Sequence, residues 1–262
     1  MRRFLLIWIL GAIHSHASER IPVVVYADDA YPPYSYEVNG VAKGIYADIL
    51  RIAFSRMPNY TVSIIPVPFK RGLKMLETGK GFALYPPYFY ANKRSYISPY
   101  STAILDEEVV VYCNQHKIKS IRNQPIWPDD FFGMTIGINE SFSIGGDEFW
   151  QAEKDKNINV EPGRDNRENV LKLRAGRIDC YINDKLSIQW EVKQLKESGD
   201  LDEDTAFHLS VNVSSEHGYL AYSGINENHF PYKADFVEKF DTVILDMINN
   251  GEIQFLLRNY AN

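Results

Sequence analysis

The segment DDAYPPYSYEVNGVAKGIYADILRIAFSRM, residues 28–57, contains the sequence signals that decide the fold. The apolar run VVVY just before it predicts a strand, and ADILRIAFSRM predicts a helix because its apolar residues recur at spacings of three and four. Between them, Pro32 and Pro33 stiffen an aromatic loop that begins at Tyr31, and the NG and KG pairs mark turns. Loops beyond the carboxyl ends of strands are common binding sites in α/β folds, so this loop is the first candidate for one.

Several motifs recur in the order found in one known protein family. The segment combines a strand ending in Asp with Y-x-P-[FY]-S, a G-x-x-x-G spacing and D-[IL] in the helix. Further matches are ANKR and ISPY within 91–100, L-x-x-G-R-x-D at 173–179 and N-G-x-I-x-x-L at 250–256. This pattern resembles the bacterial solute-binding proteins of family 3, whose members bind polar amino acids in the periplasm.

The resemblance implies an α/β architecture of two lobes, the type II periplasmic-binding-protein fold. Each lobe is expected to contain a mixed sheet flanked by helices, and two hinge strands are expected to join the lobes. The first lobe would comprise residues 18–110 and, after the chain returns, residues 217–262, with residues 111–216 forming the second lobe. Both ends of the mature chain would then lie in one discontinuous lobe.

The first residues, MRRFLLIWILGAIHSHAS, have the layout of a secretory signal peptide. Two arginines precede an apolar run from Phe4 to Ile13, and small residues follow at Ser15 and Ala17. The run is too short to span a bilayer as a mature helix. We therefore predict a signal peptide at residues 1–17 and export to the periplasm.

Charged and aromatic residues fall on positions that contact the ligand in the family. Arg94, in the ANKR motif, matches the arginine that grips the ligand α-carboxylate, and its planar guanidinium suits bidentate binding of a carboxylate. Asp184 matches the aspartate that receives the ammonium, although an aspartate at a strand end could instead cap the next helix. Ser143 follows the predicted strand GMTIGI, where the family binds carboxylate at a helix N-terminus. The remaining side chains that the resemblance places at the ligand are Tyr31, Phe69 and Asp28.

One loop departs from the family pattern. Members that bind ordinary amino acids usually have small hydroxyl residues after the strand that reads FALY here, and this chain instead has Tyr85, Pro86, Pro87, Tyr88 and Phe89. Pro87 has no backbone N–H to donate. Together with Tyr31 and Phe69, the aromatic residues of this loop predict a ring-lined wall, which favours an aromatic or cationic ligand over a small acidic one.

The composition argues against some partners and does not decide whether the two cysteines form a disulfide. A net charge of −6 without a basic cluster argues against nucleic acid. The 6 histidines are scattered without paired metal-binding motifs, so no metal or cofactor is predicted. Cys113 and Cys180 could form a disulfide in an exported protein or remain buried free thiols, and their spacing does not decide between the two.

The resemblance implies capture and delivery of a small amino-acid-like ligand without chemical conversion. The protein is expected to act as a monomer that passes its ligand to the permease of an ABC importer in the inner membrane. Two alternatives use the same fold: a binding protein for a small molecule other than an amino acid, and a sensor or dehydratase-like relative. For an enzyme, Glu107, Glu108 and Glu140 are the candidate acid or base residues.

Overall fold

The computed structural model describes residues 19–114 and 124–261. The predicted signal peptide, residues 1–17, lies outside the described residues. Within the described ranges, no helix combines the length and apolar character that crossing a lipid bilayer requires. The described chain forms two mixed sheets, a small antiparallel sheet and flanking helices.

Strands and helices alternate along the chain, as expected for an α/β protein. The strands are β1 (Ile21–Asp28), β2 (Ala30–Tyr31), β3 (Ser35–Val38), β4 (Val41–Lys43), β5 (Tyr60–Val67), β6 (Ala83–Tyr85), β7 (Ile97–Tyr100), β8 (Leu105–Asn114), β9 (Thr135–Asn139), β10 (Asn159–Gly163), β11 (Cys180–Asp184), β12 (Phe207–Gly218) and β13 (Ala221–Ser223). The α-helices are α1 (Ile45–Ser55), α2 (Phe69–Glu77), α3 (Gly146–Lys154), α4 (Asn166–Arg174), α5 (Lys185–Glu197), α6 (Lys233–Asn249) and α7 (Glu252–Ala261).

Each of the two large sheets has five strands and mixed pairing. The first has the order β5-β1-β6-β13-β7 and the second has the order β10-β9-β11-β8-β12. In the first sheet β1, β5 and β6 are parallel and β13 is antiparallel to its neighbours; in the second, β8 is antiparallel to both β11 and β12. We call each sheet with its helices a lobe, and this architecture confirms the predicted fold class.

Two long strands carry the chain between the lobes. β8 and β12 pair antiparallel along their length, and the pair Leu105–Gly218 lies at the end where Leu105 packs into the core of the first lobe. The predicted lobe boundaries, after residues 110 and 216, fall within these two strands. The chain therefore passes between the lobes through β8 and β12, which are hydrogen-bonded to each other, and we expect hinge bending at these two strands.

The opening segment folds as its pattern predicts. The apolar face of α1 is fully buried at Ile45, Ile49 and Ala53, which pack in the core of the first lobe. Gly44 precedes the helix at a φ of 104°, and a Cβ there would lie 2.5 Å from the carbonyl oxygen of Tyr34. A left-handed backbone this close to another carbonyl requires glycine, which fixes how the aromatic loop enters the helix.

A disulfide joins Cys113 and Cys180, with an Sγ–Sγ distance of 1.96 Å. The two residues lie directly opposite each other on the antiparallel strands β8 and β11, and both are fully buried. The sequence left a disulfide and two free thiols as equal alternatives, and pairing of the two strands decides between them. The bond closes a loop with a sequence separation of 67 residues, which contains most of the second lobe.

We expect reduction of this disulfide to lower the free energy of unfolding by about 2–4 kcal/mol, since the bond restricts a long loop in the unfolded chain. Urea unfolding with and without reductant measures the change. The double substitution Cys113→Ala and Cys180→Ala serves as the control, because its unfolding should not respond to reductant. Equal unfolding midpoints for the oxidised and reduced parent would contradict the prediction.

Candidate functional site

A cavity between the lobes gathers residues from five separate segments. Of the six ligand-binding residues predicted from the sequence, the structure places five on its wall: Asp28, Tyr31, Phe69, Arg94 and Ser143. Asp28 ends β1, Tyr31 lies in β2, and Phe69 begins α2. These residues meet because β1 and β5 are parallel, so the loops that follow them emerge at the same edge of the first sheet.

Arg94 is a buried cation on the cavity wall. Its side chain is 5% exposed, and its guanidinium lies 5.5 Å from the ring centroids of both Phe69 and Tyr90. Within the described residues, its guanidinium donates a hydrogen bond through Nη2 to the carbonyl oxygen of Ser141 at 3.3 Å. Burial lowers the pKa of Arg94 from its usual value. No carboxylate of the described chain forms an ion pair with it, so this guanidinium can accept an anion.

Asp28 is the carboxylate on the same wall. It is 3% exposed, and its Oδ1 accepts a hydrogen bond from the backbone N–H of Ala30 at 3.0 Å. Burial raises the pKa of Asp28 to about 7, with a smaller contribution from the neighbouring charge of Asp29, whereas the Ala30 hydrogen bond lowers it. A cation bound in the cavity would favour the ionised form of Asp28.

Asp184 does not line this cavity. It ends β11 and caps α5, where its Oδ1 accepts the backbone N–H of Ser187 at 2.8 Å and its Oδ2 accepts that of Glu108 at 3.1 Å. Burial raises the pKa of Asp184 to about 6, although these hydrogen bonds lower it. In this conformation the carboxylate caps the N-terminus of α5, which is the alternative to ammonium binding that the sequence analysis left open.

The aromatic wall differs in detail from the sequence prediction. Tyr31, Phe69 and Tyr88 line the cavity as expected, and Pro86 and Tyr90 join them. Side chains in the extended run after β6 alternate, so that residues 86, 88 and 90 face the cavity. Period-two alternation in this run was the signal that could have identified Tyr90.

Two residues of the predicted wall lie elsewhere. Tyr85 is fully buried in the core of the first lobe, where its ring packs 6.1 Å from that of Tyr46. Phe89 is 56% exposed and packs on Tyr100, with 4.8 Å between ring centroids, and it lines a neighbouring, larger cavity instead of the one beside Arg94. The carbonyl of Pro87 accepts a hydrogen bond from the backbone of Tyr219. The prediction that Tyr85 and Phe89 line this wall is therefore wrong for this conformation.

Behind the wall, Glu107 accepts hydrogen bonds from three tyrosines. Tyr46 donates to its Oε1 at 2.5 Å, and Tyr31 and Tyr88 donate to its Oε2 at 2.5 and 2.6 Å. Glu107 is 1% exposed, so the two cavity-lining rings of Tyr31 and Tyr88 stand between its carboxyl group and the cavity. Gly218 makes room for the cluster, because a Cβ there would lie 1.7 Å from the hydroxyl of Tyr46.

Of the three glutamates considered for an enzyme, none lines the cavity next to Arg94. Glu107 is enclosed by tyrosines, as described above. Glu108 is exposed and pairs with Lys185 at 3.1 Å, and Glu140 is exposed and pairs with Lys70 at 2.5 Å. General acid–base catalysis requires a group within hydrogen-bond reach of the reacting atom, and this arrangement provides no glutamate in that position.

Two α/β lobes that enclose a buried cation, a carboxylate and aromatic rings define the class of two-lobed ligand-binding proteins. The sequence profile described as "Bacterial extracellular solute-binding proteins, family 3" matches residues 23–262. The chain belongs to this family. A comparison with the sequences of curated proteins gives no match.

Solved structures share the fold. An ancestral arginine-binding protein bound to arginine superposes with a TM-score of 0.72 at 16% identity, covering 93% of this chain and 99% of that one. The arginine-, lysine-, histidine-binding protein ArtJ from Geobacillus stearothermophilus gives a TM-score of 0.69 at 18% identity, covering 91% and 94% of the two chains. A histidine kinase sensor domain gives 0.71 at 13% identity, covering 92% and 96%. Similarity at these identities establishes the type II periplasmic-binding-protein fold.

Proposed function

We propose that this protein is an exported periplasmic receptor that captures an amino acid or a related small carboxylate between its lobes and delivers it to the permease of an ABC importer. Membership of a family of extracellular solute-binding proteins supports capture as the function. Closure of the lobes around the ligand by bending at β8 and β12 supplies the conformational signal that a permease can recognise. The proposal requires no chemical conversion and no partner other than ligand and importer.

One observation carries the proposal: the buried guanidinium of Arg94 faces the cavity without a carboxylate partner in the described chain. Leaving a buried charge without a counter-ion is costly, and a ligand carboxylate removes that cost. The planar fork of the guanidinium can bind both carboxylate oxygens, and the rings of Phe69 and Tyr90 hold it in place. Ser143 lies on the second-lobe side of the same cavity and supplies a hydroxyl to the site.

We propose that Asp28 binds the positively charged group of the ligand. Asp184, which the resemblance linked to the ammonium, already accepts two backbone hydrogen bonds at the start of α5. Asp28 shares the cavity with Arg94, and the rings of Tyr31 and Phe69 lie beside it. A carboxylate next to aromatic faces suits an ammonium or guanidinium group and repels a second carboxylate.

We therefore expect L-arginine and L-tyrosine to bind more tightly than L-alanine, and L-glutamate to bind most weakly. Contact with an aromatic ring contributes about 0.5–1.5 kcal/mol for either an aromatic or a cationic side chain, which corresponds to roughly two- to tenfold in affinity. Isothermal titration calorimetry of the four amino acids gives the order. A thermal-shift screen precedes it, because a ligand at 100 times its dissociation constant adds about 2.7 kcal/mol of stability.

Two isosteric variants separate the roles of the carboxylates. Asp28→Asn should weaken arginine more than tyrosine, since it removes the negative charge beside the aromatic walls. Asp184→Asn should lower the melting temperature, because the amide NH2 that replaces Oδ2 cannot accept the backbone N–H of Glu108, and it should leave the order of ligands unchanged. Glutamate as the tightest of the four ligands would refute the assignment of Asp28.

A further inference from the structure

A loop of the second lobe reaches into the proposed ligand site. We call Glu140–Phe142, which follow β9, the loop tip. The ring of Phe142 lies edge-on to Tyr31 and Phe69, with 5.6 Å between centroids in both pairs. The adjacent carbonyl of Ser141 accepts the hydrogen bond from Arg94 at 3.3 Å. Phe142 also packs against the apolar cores of both lobes, so the tip joins the two.

The loop tip presents to the site an oxygen acceptor and an aromatic ring, two features that a bound aromatic amino acid would also present. An oxygen lies on the guanidinium of Arg94, and one residue further along a phenyl ring fills the space between Tyr31 and Phe69. Such edge-to-face ring pairs are favourable, and so is an oxygen acceptor for a buried guanidinium. The first residue of the tip, Glu140, adds an exposed and therefore weak ion pair with Lys70.

Little free space remains beside Arg94. The cavity there has a volume of about 20 Å³, room for about one water molecule. A larger cavity of about 310 Å³ also lies between the lobes, and Asp28, Phe69 and Phe142 line both. Among the described residues, Phe142 is the second-lobe side chain common to the two linings. A further cavity of about 600 Å³ shares Tyr90 and Ser143 with the space beside Arg94. Small-molecule sites in proteins have volumes of about 300–1,000 Å³.

We propose that the loop tip is an intramolecular ligand: Ser141 and Phe142 occupy the site, hold the lobes closed, and must be displaced before a small molecule reaches Arg94. The inference rests on the proposed function, in that the displaced site is the one that captures ligand. Displacement of Phe142 joins the two cavities that it lines into one cleft with Arg94 on its wall. Phe142 then sets affinity and selectivity, because weakly bound compounds fail to displace it.

The loop tip should weaken the measured affinity, because ligand can bind only to those molecules in which the tip has left the site. When a site is accessible in only a fraction of the molecules, the apparent dissociation constant rises by the inverse of that fraction. Two edge-to-face ring pairs shift the closed-to-open ratio by about tenfold or more. Phe142→Ala removes both pairs and retains Arg94, Asp28 and the walls of the first lobe.

Small-angle X-ray scattering without any ligand tests the closure directly. The scattering curve of the parent should match the curve calculated from this closed structure, and Phe142→Ala should give a larger radius of gyration. Phe132→Ala, which removes a 46% exposed ring of the same lobe outside the cavity, should match the parent. Phe142→Leu, which keeps most of the side-chain volume, should fall between the two. A parent that scatters as an open molecule, or the same radius for parent and Phe142→Ala, would overturn the proposal.

Ligand titration supplies a second and independent readout. The tightest compound of the arginine, tyrosine, alanine and glutamate panel should bind Phe142→Ala about tenfold more tightly than the parent, with Phe132→Ala unchanged. Equal or weaker binding to Phe142→Ala would overturn the inference. If no compound of the panel binds the parent or Phe142→Ala, the proposed function fails, whereas the difference in ligand-free scattering still supports an intramolecular ligand.

Discussion

Arg94→Ala should weaken the binding of a carboxylate ligand by roughly thirty- to several-thousand-fold. The side chain is buried on the cavity wall, and removing one member of a buried charge pair costs about 2–5 kcal/mol. Arg94→Lys should also bind weakly, because an ammonium keeps the charge but loses the planar fork. Calorimetry with the tightest amino acid of the panel measures both variants.

Two controls make this result specific for the carboxylate. Arg71→Ala removes an exposed arginine of α2 and should leave the affinity unchanged. The decarboxylated analogue of the same ligand, agmatine for arginine or tyramine for tyrosine, should bind the parent weakly and should not respond to Arg94→Ala. Equal losses for ligand and analogue would show that Arg94 acts on the fold of the site and not on the carboxylate.

The fold was predictable from the sequence because its signals are local and recur in order. The apolar face of α1, the glycine before that helix and the continuous strand from Leu105 to Asn114 follow from periodicity and turn chemistry. Five site residues were predictable for a related reason. Each lies at or near the end of a strand or helix whose position the motifs determine, so one correct assignment of the first sheet brings Asp28, Tyr31 and Phe69 together.

Features that depend on contacts between distant residues were not predictable. Asp184 could bind a ligand or cap a helix, and the choice depends on the neighbouring strand, which places the backbone N–H of Glu108 against the carboxylate. Tyr85 and Phe89 have the ring-rich neighbourhood of wall residues, but the backbone direction after β6 sends one into the core and the other to the surface. The disulfide likewise follows from strand pairing and not from spacing.

The cluster around Glu107 was also not predictable from the sequence, because its three tyrosines are 76, 61 and 19 residues away along the chain. Burial, together with the nearby charge of Asp184, raises the pKa of Glu107 from 4.5 to about 8, although hydrogen bonds from the tyrosines lower it. Tyr34 stacks on Tyr31 at 5.1 Å and completes the ring layer on this side. Folding therefore places a carboxyl group where its protonated form is favoured.

A raised carboxyl pKa makes stability depend on pH in a definite direction. Between pH 4.5 and about 8 the folded protein keeps a proton on Glu107 that the unfolded chain has released. Its contribution to the free energy of unfolding is fully present below pH 4.5 and declines as the pH rises through about 8. Asp28 acts in the same direction, with a pKa raised from 3.8 to about 7 by burial, so the two contributions fall together.

Glu107→Gln should remove this decline in stability, because glutamine has the size of the protonated glutamate and does not titrate. Each proton contributes a slope of at most about 1.4 kcal/mol per pH unit, and the full effect is on the order of 5 kcal/mol. Urea unfolding of parent and variant at intervals from pH 5 to pH 9 gives the difference, which should grow in favour of the variant as the pH rises. Glu108→Gln, at the exposed neighbouring position, should follow the parent at every pH. Parallel curves for the parent and Glu107→Gln would mean that Glu107 is ionised in the folded protein throughout this range, and that the three tyrosine hydroxyls stabilise the carboxylate enough to offset its burial.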